Sequence, residues 1–129
     1  MADILKQVTV VDDSGTAAEF IPRRRAVAKN ANGEIILAGD GVKPFGFVTR
    51  EFAKGERVEV VTDGVVPATI ATPTGVEEGA KLACAAYGKL DTGDAGNPVA
   101  AIARGDAGAA DDVISVRVSD LLSLHEIPA

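Results

Sequence analysis

The sequence GDGVKPFGFV at residues 39–48 occurs again, in altered form, as GDAGNPVAAI at residues 93–102. Each copy opens with Gly-Asp, allows three variable residues and reaches a proline, after which small and apolar residues follow. Related segments separated by about 55 residues indicate a supersecondary unit that is used twice. We therefore predict two similar β units, in which Pro44 is equivalent to Pro98.

The similarity extends in both directions from this segment. Gly33 aligns with Gly88, and residues 58–60 align with residues 114–116. A chance similarity between the two segments is the alternative to a duplication. The predicted organisation is an N-terminal arm or strand at 1–24, a duplicated domain at 25–119 with units 25–63 and 80–119, and a C-terminal tail at 120–129.

Local sequence signals favour strands over helices. Asn32-Gly33 is typical of a type I′ hairpin turn, because both central residues of that turn need positive φ. Residues 57–62 and 113–118 alternate between polar and apolar side chains, as half-buried strands do. Gly46 lies inside a predicted strand, which indicates close approach of another backbone. No stretch keeps a 3.6-residue period over the length of a helix, so the prediction is an all-β fold, a small barrel.

Composition excludes several functional classes. The 129 residues carry a net charge of -6, whereas nucleic-acid binding needs a basic surface. A single cysteine rules out an internal disulfide framework and suits a reducing compartment. The first residues do not form a secretory signal, and no apolar run reaches the length of a membrane span. Few aromatic residues and no tryptophan predict a lean core, to whose stability partners contribute.

Catalytic and metal-binding patterns are not found in the sequence. Cys84 lies in an apolar run, and no feature places it near His125, the one histidine, which a reactive thiol would need as a base. A lone histidine cannot build a zinc site, which takes three or four ligands. Asp91 and Asp94 do not follow calcium-loop spacing. We predict no catalytic residue, no cofactor and no metal, and a small enzyme is the least favoured class.

Several of these segments together resemble the small capsid decoration, or cement, proteins of tailed bacteriophages. The resemblance covers about residues 25–119 and departs at residues 98–101, where the aromatic-Gly-aromatic step is missing. Residues 1–24 match no family motif. The segments that carry the resemblance are NGEI at 32–35, KPFGFV at 43–48, AKGERVEV at 53–60, DGVV at 63–66, GAKL at 79–82 and GKL at 88–90.

The resemblance implies a compact β domain, tulip-like in some members, that binds the outside of an assembled shell. It implies a structural virion protein on the capsid exterior, made in the host cytoplasm, with the major capsid protein as partner and a homotrimer as the favoured oligomer. Nucleic acid and membrane are not expected partners. The alternative is a small β binding module for a host surface or a carbohydrate, although sugars are usually held on aromatic faces and this chain has one tyrosine.

Two features are candidates for a partner interface. Arg23-Arg24-Arg25 is the densest charge cluster; it is either a solvated strand edge or a contact with an acidic protein surface, since arginine pairs bidentately with carboxylates. Phe52 lies in a polar loop and either packs in the core or anchors an interface. Residues 1–21 have strand character and are expected to extend onto a neighbouring subunit or the shell. The predicted interface residues are Ile4, Leu5, Val8, Arg23, Arg24, Arg25 and Phe52.

Overall fold

The chain folds into one curled antiparallel sheet, as the computed structural model, which describes residues 10–119, 122 and 125–128, places it. The all-β prediction is confirmed, and the curled sheet forms a half-barrel. In the described residues no helix is long and apolar enough to cross a bilayer. The strands are β1 (Val10–Thr16), β2 (Arg25–Lys29), β3 (Ile35–Leu37), β4 (Gly46–Val48), β5 (Arg57–Thr69), β6 (Lys81–Cys84), β7 (Leu90–Asp91), β8 (Ala101–Ala103) and β9 (Val113–Val118).

The strand order is the same when read from either end of the sheet. The order is β3-β2-β4-β5-β9-β8-β6-β7, so β2 to β5 of one half take the places of β6 to β9 in the other. The registers agree: Lys29 pairs with Ile35 in one hairpin, and Cys84 pairs with Leu90 in the other. The two halves are therefore related by a pseudo-two-fold axis between β5 and β9.

The N-terminal strand belongs to the first of these halves. β1 pairs with the first part of β5 through Thr16 and Arg57, just as the second part of β5 pairs with β9 through Thr69 and Val113. Two parallel bridges repeat the correspondence, Ala17 to Ile35 and Ile70 to Leu90. From residue 10 onward, the segment predicted to be an N-terminal arm or strand thus pairs as a strand with β5 of its own chain.

Backbone hydrogen bonds define which positions are equivalent. Asn30 N donates to Glu34 O at 2.9 Å and Ala85 N donates to Lys89 O at 2.7 Å, so the turns containing Gly33 and Gly88 correspond.

The predicted equivalence of the two prolines needs a correction. Phe45 N donates to Val27 O and Ala100 N donates to Leu82 O, both at 2.7 Å, which matches Phe45 with Ala100. Pro98 therefore lies one residue before the position equivalent to Pro44. The loop before β8 therefore differs from the loop before β4, and an alignment of the two sequences on their prolines hides this difference.

Two apolar clusters fill the half-barrel. The larger spans both halves and includes Phe47, Leu82 and Leu90. The smaller lies in the first half and includes Ile21, Val58 and Phe52. Gly46 makes the close approach that its position predicted, because a Cβ built there would lie 2.7 Å from the carbonyl oxygen of Val61.

Candidate protein-interaction surface

The arginine triplet lines one open groove of about 480 Å³ between the two halves, here called the arginine groove. The groove carries four cationic side chains and two anionic ones, on a protein whose net charge is -6. It is therefore a cationic site on an acidic molecule. Its lining residues are Phe20, Pro22, Arg23, Arg24, Arg25, Glu51, Thr69, Lys89, Asp111 and Val113.

Backbone conformation brings three consecutive arginines to the same groove. In an extended strand, neighbouring side chains point to opposite faces. Arg24 breaks this alternation because its φ is 60°, in the left-handed region. Its carbonyl oxygen is held by the backbone N–H of Thr69 at 3.1 Å. All three side chains thus line the groove at the point where the chain enters β2.

The three guanidinium groups differ in how well they are paired. Arg23 Nη2 lies 3.3 Å from Glu51 Oε1, but both side chains are more than half exposed, so this ion pair adds little stability. Arg25 Nη1 donates to the Tyr87 carbonyl oxygen at 2.9 Å, while its buried Nε has no protein partner among the described residues. Over the same residues, the Arg24 side chain makes no hydrogen bond or ion pair. The Arg24 guanidinium therefore remains available for a partner.

An ion pair from the second half of the chain closes one side of the groove. Lys89 Nζ lies 2.6 Å from Asp111 Oδ1. The hydrogen bond from Lys89 lowers the pKa of Asp111, and the charges of Lys89 and Arg25 lower it further. Asp111 is consequently ionised at neutral pH and compensates part of the positive charge.

Exposed apolar side chains accompany the charges. Phe20 is 54% exposed, Tyr87 70% and Val113 45%, and of the large hydrophobic residues in the described ranges only Val42 is also exposed. Phe20 and Val113 line the groove, and Tyr87 is joined to it through Arg25. Aromatic residues and arginine are the residue types that most often dominate binding at protein interfaces. The composition of the groove suits a protein partner.

The structure unites part of the predicted interface and separates the rest. Arg23, Arg24 and Arg25 lie together, whereas Ile4, Leu5 and Val8 fall outside the described residues.

Phe52 is corrected from an interface anchor to a core residue, since it is 1% exposed. Its backbone exchanges two hydrogen bonds of 2.9 Å with Ile21, which draws the polar loop onto the smaller cluster. Arg50 covers the ring from outside, with its Cζ 3.9 Å from the ring centroid. No local sequence pattern indicates the contact with Ile21, because the two residues are distant in the chain.

Cys84 and His125, the two residues considered for catalysis, differ in their surroundings, since Cys84 is buried and His125 is exposed. Burial, together with the charge of Asp91, raises the pKa of the Cys84 thiol to about 12, so the thiol is protonated at neutral pH and a poor nucleophile. His125 is exposed and contributes its carbonyl oxygen to Val99 N at 3.0 Å. Within the described ranges, no three histidine, cysteine or acidic side chains come together as metal ligands.

The curled sheet and its cationic, partly apolar groove define a small all-β protein. Comparison with known proteins gives its family: the phage cement protein family matches residues 14–118, which is most of the chain, and the protein belongs to that family. It is a capsid-associated structural protein of the virion. This confirms the family and the functional class that the sequence indicated.

A solved structure shares the fold. The N base of the head fibre gp8.5 of bacteriophage phi29 is similar with a TM-score of 0.63 and 16% sequence identity, over 87% of this chain and 93% of that one. At this identity the likeness establishes the fold alone. No curated protein shows a significant sequence match.

Proposed function

We propose that this protein binds the outer surface of an assembled phage capsid and stabilises the shell. The observation that carries the proposal is membership of the cement protein family over residues 14–118. Stabilisation needs no chemistry, because a protein that binds the assembled shell and not its separated subunits shifts the equilibrium toward assembly. The protein acts without enzymatic activity.

The proposed partner is the major capsid protein, and the proposed oligomer is a homotrimer at a three-fold site. The protein is made in the host cytoplasm, where its single buried cysteine stays reduced. We assign contacts with acidic protein surfaces to Arg23, Arg24 and Arg25. Ile4, Leu5 and Val8 remain proposed interface residues, as apolar side chains of the N-terminal segment.

Cosedimentation with empty shells tests the proposal. The purified protein, titrated onto empty shells of its own phage, is expected to pellet with them to a fixed copy number. Bound protein is expected to raise the temperature at which the shells break down, and to be accessible to an added antibody on the outside. Failure to pellet, or binding without any change in shell stability, would contradict the proposal.

A further inference from the structure

The two halves of the molecule carry opposite charges at equivalent positions. Ile21 exchanges backbone hydrogen bonds with Phe52, and Ala107 N donates to Val76 O at 3.0 Å in the same place of the second half. Counting forward from Ile21 and Val76 aligns the sequence PRRR at 22–25 with EEGA at 77–80. Two contacts agree with this alignment, in which Arg23 is equivalent to Glu78. Arg23 forms an ion pair with Glu51, and the backbone N–H of Glu78 donates at 3.0 Å to Oδ1 of Asp106, the residue equivalent to Glu51.

The second half therefore presents an acidic surface where the first presents arginines. Glu77, Glu78 and Asp106 are all exposed, and none has an ion pair within the described residues. We call these three residues the acidic corner.

Backbone strain marks the arginine groove as the more specialised of the two surfaces. Arg24 has φ 60°, and its counterpart is Gly79 with φ 89°. Asp111 has φ 68°, and its counterpart is Gly55 with φ 85°, in turns matched by the hydrogen bonds Glu56 N to Ala53 O and Asp112 N to Ala109 O. Glycine adopts this conformation freely, whereas other residues are strained in it. The groove thus keeps charged side chains where the fold favours glycine, as binding sites often do.

We propose that the arginine groove of one copy binds the acidic corner of a second copy, and that three copies joined in this way close a ring. The inference rests on the proposed homotrimer and supplies its contact. Because the two surfaces are different patches of one chain, every copy offers a groove to one neighbour and a corner to the other. Such heterologous contacts close into rings when the rotation between copies permits it.

Charge and burial favour another copy as the occupant of the groove. The acidic corner supplies three carboxylates, and the groove has an excess of two cationic side chains, one of them Arg24 without a partner among the described residues. The neighbour would cover Phe20 and Val113, which are otherwise exposed.

Paired charge reversals test the contact. The full-length variants are R23E/R24E in the groove, E77R/E78R in the corner, and one chain that carries all four changes. Lys43→Glu is the control, because Lys43 is exposed, belongs to neither the groove nor the acidic corner, and lines a different pocket. The oligomeric state is measured by sedimentation equilibrium over a range of concentrations, the fold by thermal unfolding, and shell binding by cosedimentation.

The wild-type protein and the Lys43→Glu control are expected to be trimeric. Each paired reversal is expected to raise the protein concentration needed for half-assembly by at least about tenfold, since like charges then face each other. The four-residue exchange is expected to restore the trimer, because groove and corner are complementary again, and this rescue cannot come from a variant that has merely lost its fold.

Other outcomes would overturn the inference and leave the proposed function standing. If R23E/R24E stays trimeric but no longer pellets with shells, the groove faces the capsid and not another copy. If the wild-type protein decorates shells and is a monomer in solution, the ring does not exist. If the wild type forms trimers that never pellet with shells, the ring contact stands and the proposed function fails.

Discussion

Four glycine-to-alanine substitutions distinguish the two reasons for which this fold needs glycine, a backbone with positive φ and a space too small for a Cβ atom. Gly105 has an ordinary φ, and a Cβ built on it has no atom within 4 Å. Gly33 has a φ of +78° and equally open surroundings. Gly46 has an ordinary φ, but its Cβ would press on the side chain of Val60 and lie 2.7 Å from Val61 O. Gly88 combines a φ of +71° with a clash against the carbonyl oxygen of Ala26.

The expected changes in the free energy of unfolding follow from these differences. Gly105→Ala should stabilise by about 0.4–1 kcal/mol, because alanine has less conformational freedom to lose on folding. Gly33→Ala should cost about 1 kcal/mol, the left-handed penalty of about 1–2 kcal/mol less that gain. Gly46→Ala should cost about 2 kcal/mol, since overpacking costs about 1–3 kcal/mol and the obstacle is partly backbone. Gly88→Ala should cost about 3 kcal/mol or more, as strain and clash act together.

Thermal and urea unfolding of the four variants measure the order of their free energies of unfolding. Each kcal/mol should move the melting temperature by roughly 3–5 °C in a domain of this size. Gly33 and Gly88 are equivalent in the duplication, so they form the critical pair: only the turn of the second half packs against β2 of the first. If Gly88→Ala costs no more than Gly33→Ala, that packing is wrong, and with it the closure of the half-barrel.

Four further outcomes are expected. Deleting residues 1–16 should lower the melting temperature sharply or abolish cooperative unfolding, since it removes β1 and leaves the first part of β5 unpaired on one edge; a deletion variant as stable as the full chain would contradict the placement of β1. The free energy of unfolding should fall as pH rises from 9 toward 12, because the unfolded Cys84 thiol ionises near its ordinary pKa of 9.0 and the folded one only at about 12; Cys84→Ala should flatten this dependence, and an unchanged slope would refute the cause. Lys89→Met should raise the pKa of Asp111 toward 3.8 in an NMR titration, since the Lys89 hydrogen bond holds it down; the stability from that bond is present above pH 3.8 and is lost as the folded carboxylate protonates. Adding a chelator should leave the melting temperature unchanged, and a drop of many degrees would reveal a bound metal ion.

Local sequence signals identified the elements that short-range geometry controls. Asn32-Gly33 does mark a hairpin turn, but the predicted type I′ conformation is wrong, because Gly33 has positive φ and Asn32 does not. The alternation at 57–62 places Val58 and Val60 in the core. The close approach of the β5 backbone to Gly46 was predicted from the absence of a side chain at one position inside a strand. In each case the deciding contacts are a backbone dihedral or a period of two, both of which can be read from neighbouring residues.

The parts that could not be predicted depend on residues distant in sequence. β1 is equivalent to the second part of β5, but their sequences share little beyond a pair of valines. Phe52 is drawn into the core by Ile21, and its loop otherwise has the composition of a solvent-exposed turn. Only the arginines of the groove were foreseen; Lys89, Asp111 and Val113 reach it from the other half, through a topology that no local pattern specifies.

The thirteen-residue strand β5 has a consequence for how the molecule opens. It completes the first half with its pairing to β1 and β4 and begins the second half with its pairing to β9, without an intervening loop. Neither half can unravel without stripping hydrogen bonds from a strand that the other half also uses. Within residues 10–119 the fold therefore has no internal boundary at which a partly unfolded species could be stable. A peptidase should encounter either the intact domain or the fully open chain, which is a useful property for a structural protein of a capsid.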